Sequence, residues 1–395
     1  MCFRLSSFRF MRLLTVLLAA LPFVSLSSAY ADKSTIRIGV SLGLTGIYEN
    51  IARPQQAAFQ LWENHVNQRG GILGRKVQVI VRDDRSDPQV AKKIYEEFIE
   101  KEKVDFVFGP YSSPVTAAVA PVVDKQGYPM LATGAAGEEI WKQGYQNVFG
   151  MWPPAGRYSI GFLTILAEAG IKRVAIVSTD DIFALGIAEG AKKWSAQYAL
   201  QVTTYRVEPK NDPDMARAAE AARASGAQAL LLTGHYNEAV MMRTVLKQIG
   251  WRPVAFYAAV GPALQKFFDE FGKDAHGTFS SSVWEARDDL QDPDAARFLR
   301  EFLAGNSEPP SYHAATAYAT GQILEQAILK AGKLDRTAVR QALFALEANS
   351  IVGRYAVDRT GLQIKRSPMI VQWQGSKREV VWPPELRTAA PLLNK

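Results

Sequence analysis

Along most of this chain, short apolar runs alternate with longer stretches in which apolar residues recur every three or four positions. The first run is Ile36-Arg37-Ile38-Gly39-Val40, and Val104 to Phe108 is another. Lys76 to Val81 sets Val77, Val79 and Val81 on one side, the period of a strand. Pro54 to Asn67 instead brings Ala58, Trp62 and Val66 onto one face, which predicts a helix with proline in its first turn. A helix from Asp87-Pro88 to Lys101, a helix over 114–124 and a strand over 128–132 continue the rhythm. It restarts after Trp152-Pro153-Pro154 with a helix over 158–169, a strand over 173–178 and a helix over 186–198. Strands over 202–207, 229–232 and 254–257 follow, separated by helices starting near Asp214 and Asn237. The tail reads as strands over 353–358, 369–373 and 379–382, with turns at Gly361 and Gly375. Alternation of this kind predicts parallel sheets covered by helices. Each half has too few strands for an eight-stranded barrel, so two open α/β lobes with a ligand cleft between them are expected.

The first 31 residues break the pattern. Arg4, Arg9 and Arg12 precede an apolar run from Leu13 to Leu26, and Ala29-Tyr30-Ala31 follows. A positive start, a short apolar core and an A-x-A site predict a secretory signal peptide over 1–31. Composition then changes meaning. The net charge of +7 and the single cysteine, Cys2, describe the whole chain. Removal of three arginines and no acid lowers +7 to +4, and leaves no thiol. The expected product is a periplasmic, monomeric protein that can fold in an oxidising compartment without disulfides.

The chemistry is narrowed by what is missing. Ser41-Leu42-Gly43-Leu44-Thr45-Gly46 does not fit G-x-G-x-x-G, and there is no P-loop or G-x-S-x-G elbow. His65, His235, His276 and His313 show no metal-ligand spacing and are expected at surface or hinge positions. Lys and Arg are interleaved with acids, which argues against nucleic acid as a partner. No cofactor or metal is expected. Two loops look suited to an anion. In Gly109-Pro110-Tyr111-Ser112-Ser113-Pro114 a strand gives way to a helix with Ser113 as its expected N-cap, and a helix N-terminus attracts carboxylates. The alternative is that Ser113 merely caps its own helix. Ala132-Thr133-Gly134-Ala135-Ala136-Gly137 follows the next strand, and its small residues let a ligand approach the backbone.

These residues, with Asn67-Gln68-Arg69-Gly70-Gly71-Ile72-Leu73-Gly74-Arg75 and Asp83-Asp84-Arg85-Ser86-Asp87-Pro88, resemble the leucine/isoleucine/valine-binding family of periplasmic solute-binding proteins. The resemblance implies two doubly wound open-sheet lobes joined by a three-crossover hinge, with one lobe over 33–152 plus 283–352 and the other over 153–282 plus 353–395. It implies the capture subunit of an ABC importer, partnered by a permease in the inner membrane, and no enzymatic activity. It also implies ligand contacts from Ser112, Ser113, Ala135, Ala136 and Gly137. In amino-acid binders of this family a threonine hydroxyl, a tyrosine and a glutamate complete the cage. Those positions align here with Ala136, Phe183 and the neighbourhood of Ala258-Ala259. Burying an ammonium without a counter-charge costs several kcal/mol. A small carboxylate with an apolar or aromatic body is therefore expected, with Phe183, Tyr236, Tyr257 and Ala259 around it. Tyr48, Arg53, Trp152 and Arg157 are further candidates, Arg157 for a charge-assisted contact. The rivals are a true branched-chain amino acid binder, a binding protein feeding a membrane receptor, and a hydrolase using Ser113 as nucleophile, which would need a base in hydrogen-bond reach.

Overall fold

The computed structural model describes residues 35–394 apart from 288 and 289. The expected signal peptide lies outside the described residues. Among those described, no helix is long and apolar enough to cross a membrane.

The first half of the chain forms β1 (Ile36–Leu42), α1 (Glu49–Gln68), β2 (Val77–Asp83), α2 (Pro88–Glu100), β3 (Phe106–Phe108), α3 (Ser113–Lys125), β4 (Met130–Ala132) and β5 (Val148–Gly150). The strands make one parallel sheet in the order β2-β1-β3-β4-β5. Almost every side chain of β1, β3, β4 and β5 is buried, because helices cover both faces. Proline suits the start of α2, and the Asp87 carboxylate accepts hydrogen bonds from the amides of Gln89 and Val90, which ends the chain's extended run there.

The chain then enters a second layer: α4 (Ile160–Glu168), β6 (Arg173–Thr179), α5 (Ile182–Gln197), β7 (Gln201–Glu208), α6 (Met215–Ala224), β8 (Ala229–Thr233), α7 (Tyr236–Gln248), β9 (Ala255–Ala258), α8 (Gln265–Phe271) and β10 (Thr278–Ser282). After β10 it crosses back. Three helices the periodicity left unread, α9 (Pro293–Gly305), α10 (Tyr312–Ala331) and α11 (Arg336–Phe344), follow, with α9 and α10 packed along α1. Buried His65 of α1 joins them, bonding the Tyr318 hydroxyl at 2.7 Å and Glu301 at 2.7 Å. A small ribbon of β11 (Ala348–Ser350) and β12 (Gly353–Tyr355) precedes the third crossing. Finally β13 (Met369–Gln374) and β14 (Lys377–Trp382) add antiparallel strands to the second sheet, whose order is β14-β13-β10-β9-β8-β6-β7.

Buried Arg366 ties the first and third crossings together. It donates to the Met151 carbonyl at 2.6 Å and to the Ser350 hydroxyl at 2.9 Å.

Both sheets reverse strand order internally, the first between β1 and β3 and the second between β6 and β8. Open α/β sheets bind ligands at such switch points, beyond the carboxyl ends of the strands. The loops after β1 and β3 and those after β6 and β8 meet there.

Candidate ligand-binding site

Four helices begin around one narrow cleft between the two sheets. Its lining comes from both sheets. Tyr111 and Ser113 follow β3, Gly134 and Ala136 follow β4, and Trp152 sits on the first crossing. From the other side come Tyr158, Phe183 at the start of α5, His235 before α7, and Val260 after β9. Tyr312 and His313 open α10 and close the wall.

The rings pack edge-on around the space. Tyr158 and Phe183 lie 5.5 Å apart, Trp152 and Tyr312 5.1 Å, and Tyr111 and His313 5.3 Å. The Tyr111 hydroxyl reaches His235 Nδ1 at 3.0 Å, a hydrogen bond between loops of the two sheets. Tyr48, buried behind them, meets Tyr111 edge-on at 5.1 Å.

The helix starts differ in how they are satisfied. Asp181 caps α5 by accepting from the Phe183 and Ala184 amides at 3.1 Å. Glu238 caps α7 by accepting from the His235 amide at 2.8 Å. Ser311 caps α10 through the Ala314 amide at 3.4 Å. Neither Ser112 of α3 nor His235 of α7 caps its helix in the regular way, but α7 has the Glu238 carboxylate folded over its start and α3 has no acid there. Asp181 and Glu238 share the ammonium of Lys210, at 3.4 and 3.1 Å. Burial would raise the Asp181 carboxyl, but His235 and Lys210 outweigh it and hold the group well below the usual carboxylate range. Burial works against the Lys210 charge as well, and Glu238 and Asp181 keep it protonated.

Ser113 is not the N-cap the sequence suggested. Helix α3 starts at Ser113 and Ser112 holds the cap position. The Ser113 hydroxyl instead accepts the amides of Ala136 and Gly137, both at 3.1 Å, and so welds the two anion-suited loops together. Its partners are backbone amides, so the arrangement gives no support to Ser113 as an activated nucleophile. The Ser112 hydroxyl is buried beside the Tyr48 phenol without a hydrogen bond of regular geometry.

The other candidates scatter. Ala136, Phe183 and Trp152 line the cavity with Ser113, and the Trp152 indole donates to the Thr133 carbonyl. Ala135 and Gly137 are buried in the same loop outside the lining, Gly137 turned toward Ile182 of α5. Tyr257 lies one layer deeper, stacked on Phe162 at 5.0 Å with its hydroxyl on Ser281, because β9 points it into the core. Ala259 gives its amide to the Leu232 carbonyl, and its neighbour Val260 takes the cavity position. Tyr236 turns away as the first residue of α7 and donates to Glu270 at 2.8 Å. Arg53 is paired with Glu49 on the surface at 2.7 Å, and Arg157 is exposed beside other grooves. Neither is placed to meet an anion in the cavity.

The expectation that the histidines occupy surface or hinge positions fails for His65, buried under α9 and α10, and for His235 and His313, both buried in the cavity wall. Tyr111, Tyr158, Tyr312 and His313 were also missed as lining residues. Pro309-Pro310-Ser311 ahead of an apolar stretch is the helix-start signal that could have flagged Tyr312 and His313.

Burial pushes the His313 imidazole down to about 3, with His235 adding repulsion, so it is neutral when folded. Between that value and its ordinary 6.5, the unfolded chain binds a proton at this residue that the folded chain does not. Its contribution to stability is therefore complete above pH 6.5 and is lost as pH falls toward 3. Asp84, raised to about 6 mainly by burial, works in the opposite direction between its ordinary 3.8 and 6. The His313 effect is thus read as a difference. Between pH 7.5 and 4, denaturant titrations should show His313→Gln gaining about 3 kcal/mol on the unsubstituted protein. Parallel curves at all pH values would refute this.

The fold and this lining can be set beside known proteins. A profile of the periplasmic binding protein family matches residues 35–378. The chain is similar to Leu/Ile/Val-binding protein homolog 7 of Brucella melitensis, with 24% identity over 396 aligned positions covering 93% of this chain and 96% of that one. In three dimensions it resembles the branched-chain amino acid transporter substrate binding protein LivJ from Streptococcus pneumoniae in complex with isoleucine. That match has a TM-score of 0.79 at 22% identity and covers 88% of this chain and 100% of that one. It also resembles an ABC transporter solute binding protein from R. palustris in complex with benzoate. Here the TM-score is 0.75 at 19% identity, over 91% of this chain and 98% of that one. With its type I two-lobed architecture and a match spanning most of its length, the chain belongs to the periplasmic binding protein family.

Proposed function

We propose that this protein captures a small monocarboxylate with an apolar or aromatic body in the cavity between its lobes and hands it to an inner-membrane ABC permease. The observation that carries this reading is the uneven capping of the four helix ends. Asp181 and Glu238 set carboxylates at two of them and Ser311 caps a third, while α3 keeps its positive end beside the lining. An anion is favoured there. No Asp or Glu is among the lining residues, so an ammonium group finds no counter-charge in the wall. Phe183, Trp152 and the tyrosines supply apolar surface for the rest of the ligand.

The relatives support both ends of the comparison: one known neighbour holds isoleucine and another holds benzoate. The chemistry of this lining favours the second. Export through a signal peptide over 1–31 and action as a monomer in the periplasm belong to the same proposal. Closure over the ligand is a hinge motion at the three crossings.

A thermal-shift screen tests it. Benzoate and simple aliphatic acids should raise the melting temperature, because a ligand that binds only the folded state adds about 2.7 kcal/mol of stability at a hundred times Kd. A strong shift with leucine, isoleucine or valine and none with the acids would overturn the ligand assignment.

A further inference from the structure

The α10 edge of the cavity presents polar atoms that a simple apolar acid would leave unsatisfied. The Tyr312 hydroxyl and His313 Nδ1 are buried and have no hydrogen-bond partner among the described residues. His235 Nε2, also in the wall, is in the same condition, 3.7 Å from Asp181 and outside hydrogen-bond reach. Folded proteins leave few such atoms, and each one calls for an explanation. The α10 helix end cannot supply it, because Ser311 already caps that end.

We propose that the ligand is a hydroxylated aromatic acid, with its carboxylate at the α3 end and a ring hydroxyl held by Tyr312 and His313. This rests on the monocarboxylate reading above and narrows it. A hydroxyl both donates and accepts. It can receive the Tyr312 O–H and donate to the free nitrogen of His313, which burial keeps neutral. A second carboxylate fits this edge poorly. The charges that face Tyr312, Glu285 and Arg378, are already paired with each other at 2.7 Å, so no spare cation is offered there. Trp152, 5.1 Å from the Tyr312 ring, and Phe183 provide faces for the aromatic body.

Isothermal titration of the purified protein with benzoate, 3-hydroxybenzoate, 4-hydroxybenzoate and 4-methylbenzoate tests this. At least one hydroxybenzoate should bind ten times or more tighter than both benzoate and the methyl analogue. A site built to bond a hydroxyl rejects the analogue lacking it far more strongly than an apolar pocket rejects a change of size. In Tyr312→Phe, affinity for the preferred hydroxybenzoate should fall while that for 4-methylbenzoate rises. A purely structural role would move both in the same direction. If the variant does not fold, the ligand series on the unsubstituted protein decides alone. Benzoate binding with less than a tenfold gain from either hydroxyl overturns this inference and leaves the monocarboxylate reading standing. Binding of leucine with no binding of any aromatic acid overturns both.

Discussion

Ser113→Ala is expected to lower the unfolding free energy by about 2–4 kcal/mol, while Ser112→Ala next to it changes stability by less than about 1 kcal/mol. The two serines differ in what their hydroxyls hold. That of Ser113 is the acceptor for the buried amides of Ala136 and Gly137, at 3.1 Å each. Alanine would leave two donors without a partner in a place water reaches poorly, at ~1–3 kcal/mol for each buried group. Ser112 makes no regular hydrogen bond, so its removal orphans nothing. Urea titrations of both variants check the contrast. Equal losses would mean that the loop junction is not held by the Ser113 hydroxyl. Because Ala136 lines the cavity, Ser113→Ala should also loosen the ligand wall and weaken binding.

Gly321→Ala is the second large effect, expected to cost about 3 kcal/mol or more. Gly321 lies in α10 where it crosses α1, and a Cβ there would sit 2.1 Å from the Trp62 ring. Trp62 is fully buried and meets Phe108 edge-on at 5.8 Å, so the ring has no free direction in which to retreat. Helix propensity alone would favour alanine by ~1 kcal/mol, and overpacking outweighs it. Gly305, the last residue of α9, has nothing within 4 Å of such a Cβ and should tolerate alanine. Denaturation of both variants separates the packing argument from a general effect of removing glycine. A stable Gly321→Ala would show that α10 can shift on α1. Such a shift would also move Tyr312 and His313 at the head of α10.

The layered fold was legible because parallel strands covered on both faces read as apolar runs, and the helices between them keep a 3.6-residue period. The anion-suited loops after β3 and β4 were legible for a local reason: proline, serine and small residues mark where a strand ends and a helix begins. The half of the site built by α10 was not. Tyr312 and His313 reach the cavity only because the chain crosses back after β10 and lays α10 on α1, a tertiary consequence that no local pattern encodes. His235 escaped for a related reason. Its role depends on Tyr111, 124 positions away in the sequence. The role of Ser113 was misread because a hydroxyl at a helix start suits a cap equally well, and only the arrival of the β4 loop gives it better partners.

The Tyr111–His235 hydrogen bond joins the two lobes through protein groups alone. Both residues also line the cavity, so a compound that touches them acts on that bond as well. Affinity and selectivity are therefore coupled: the contact that holds the jaws shut is made by side chains that also face the cargo. A substitution at Tyr111 or His235 changes how firmly the jaws shut and which cargo is favoured at the same time.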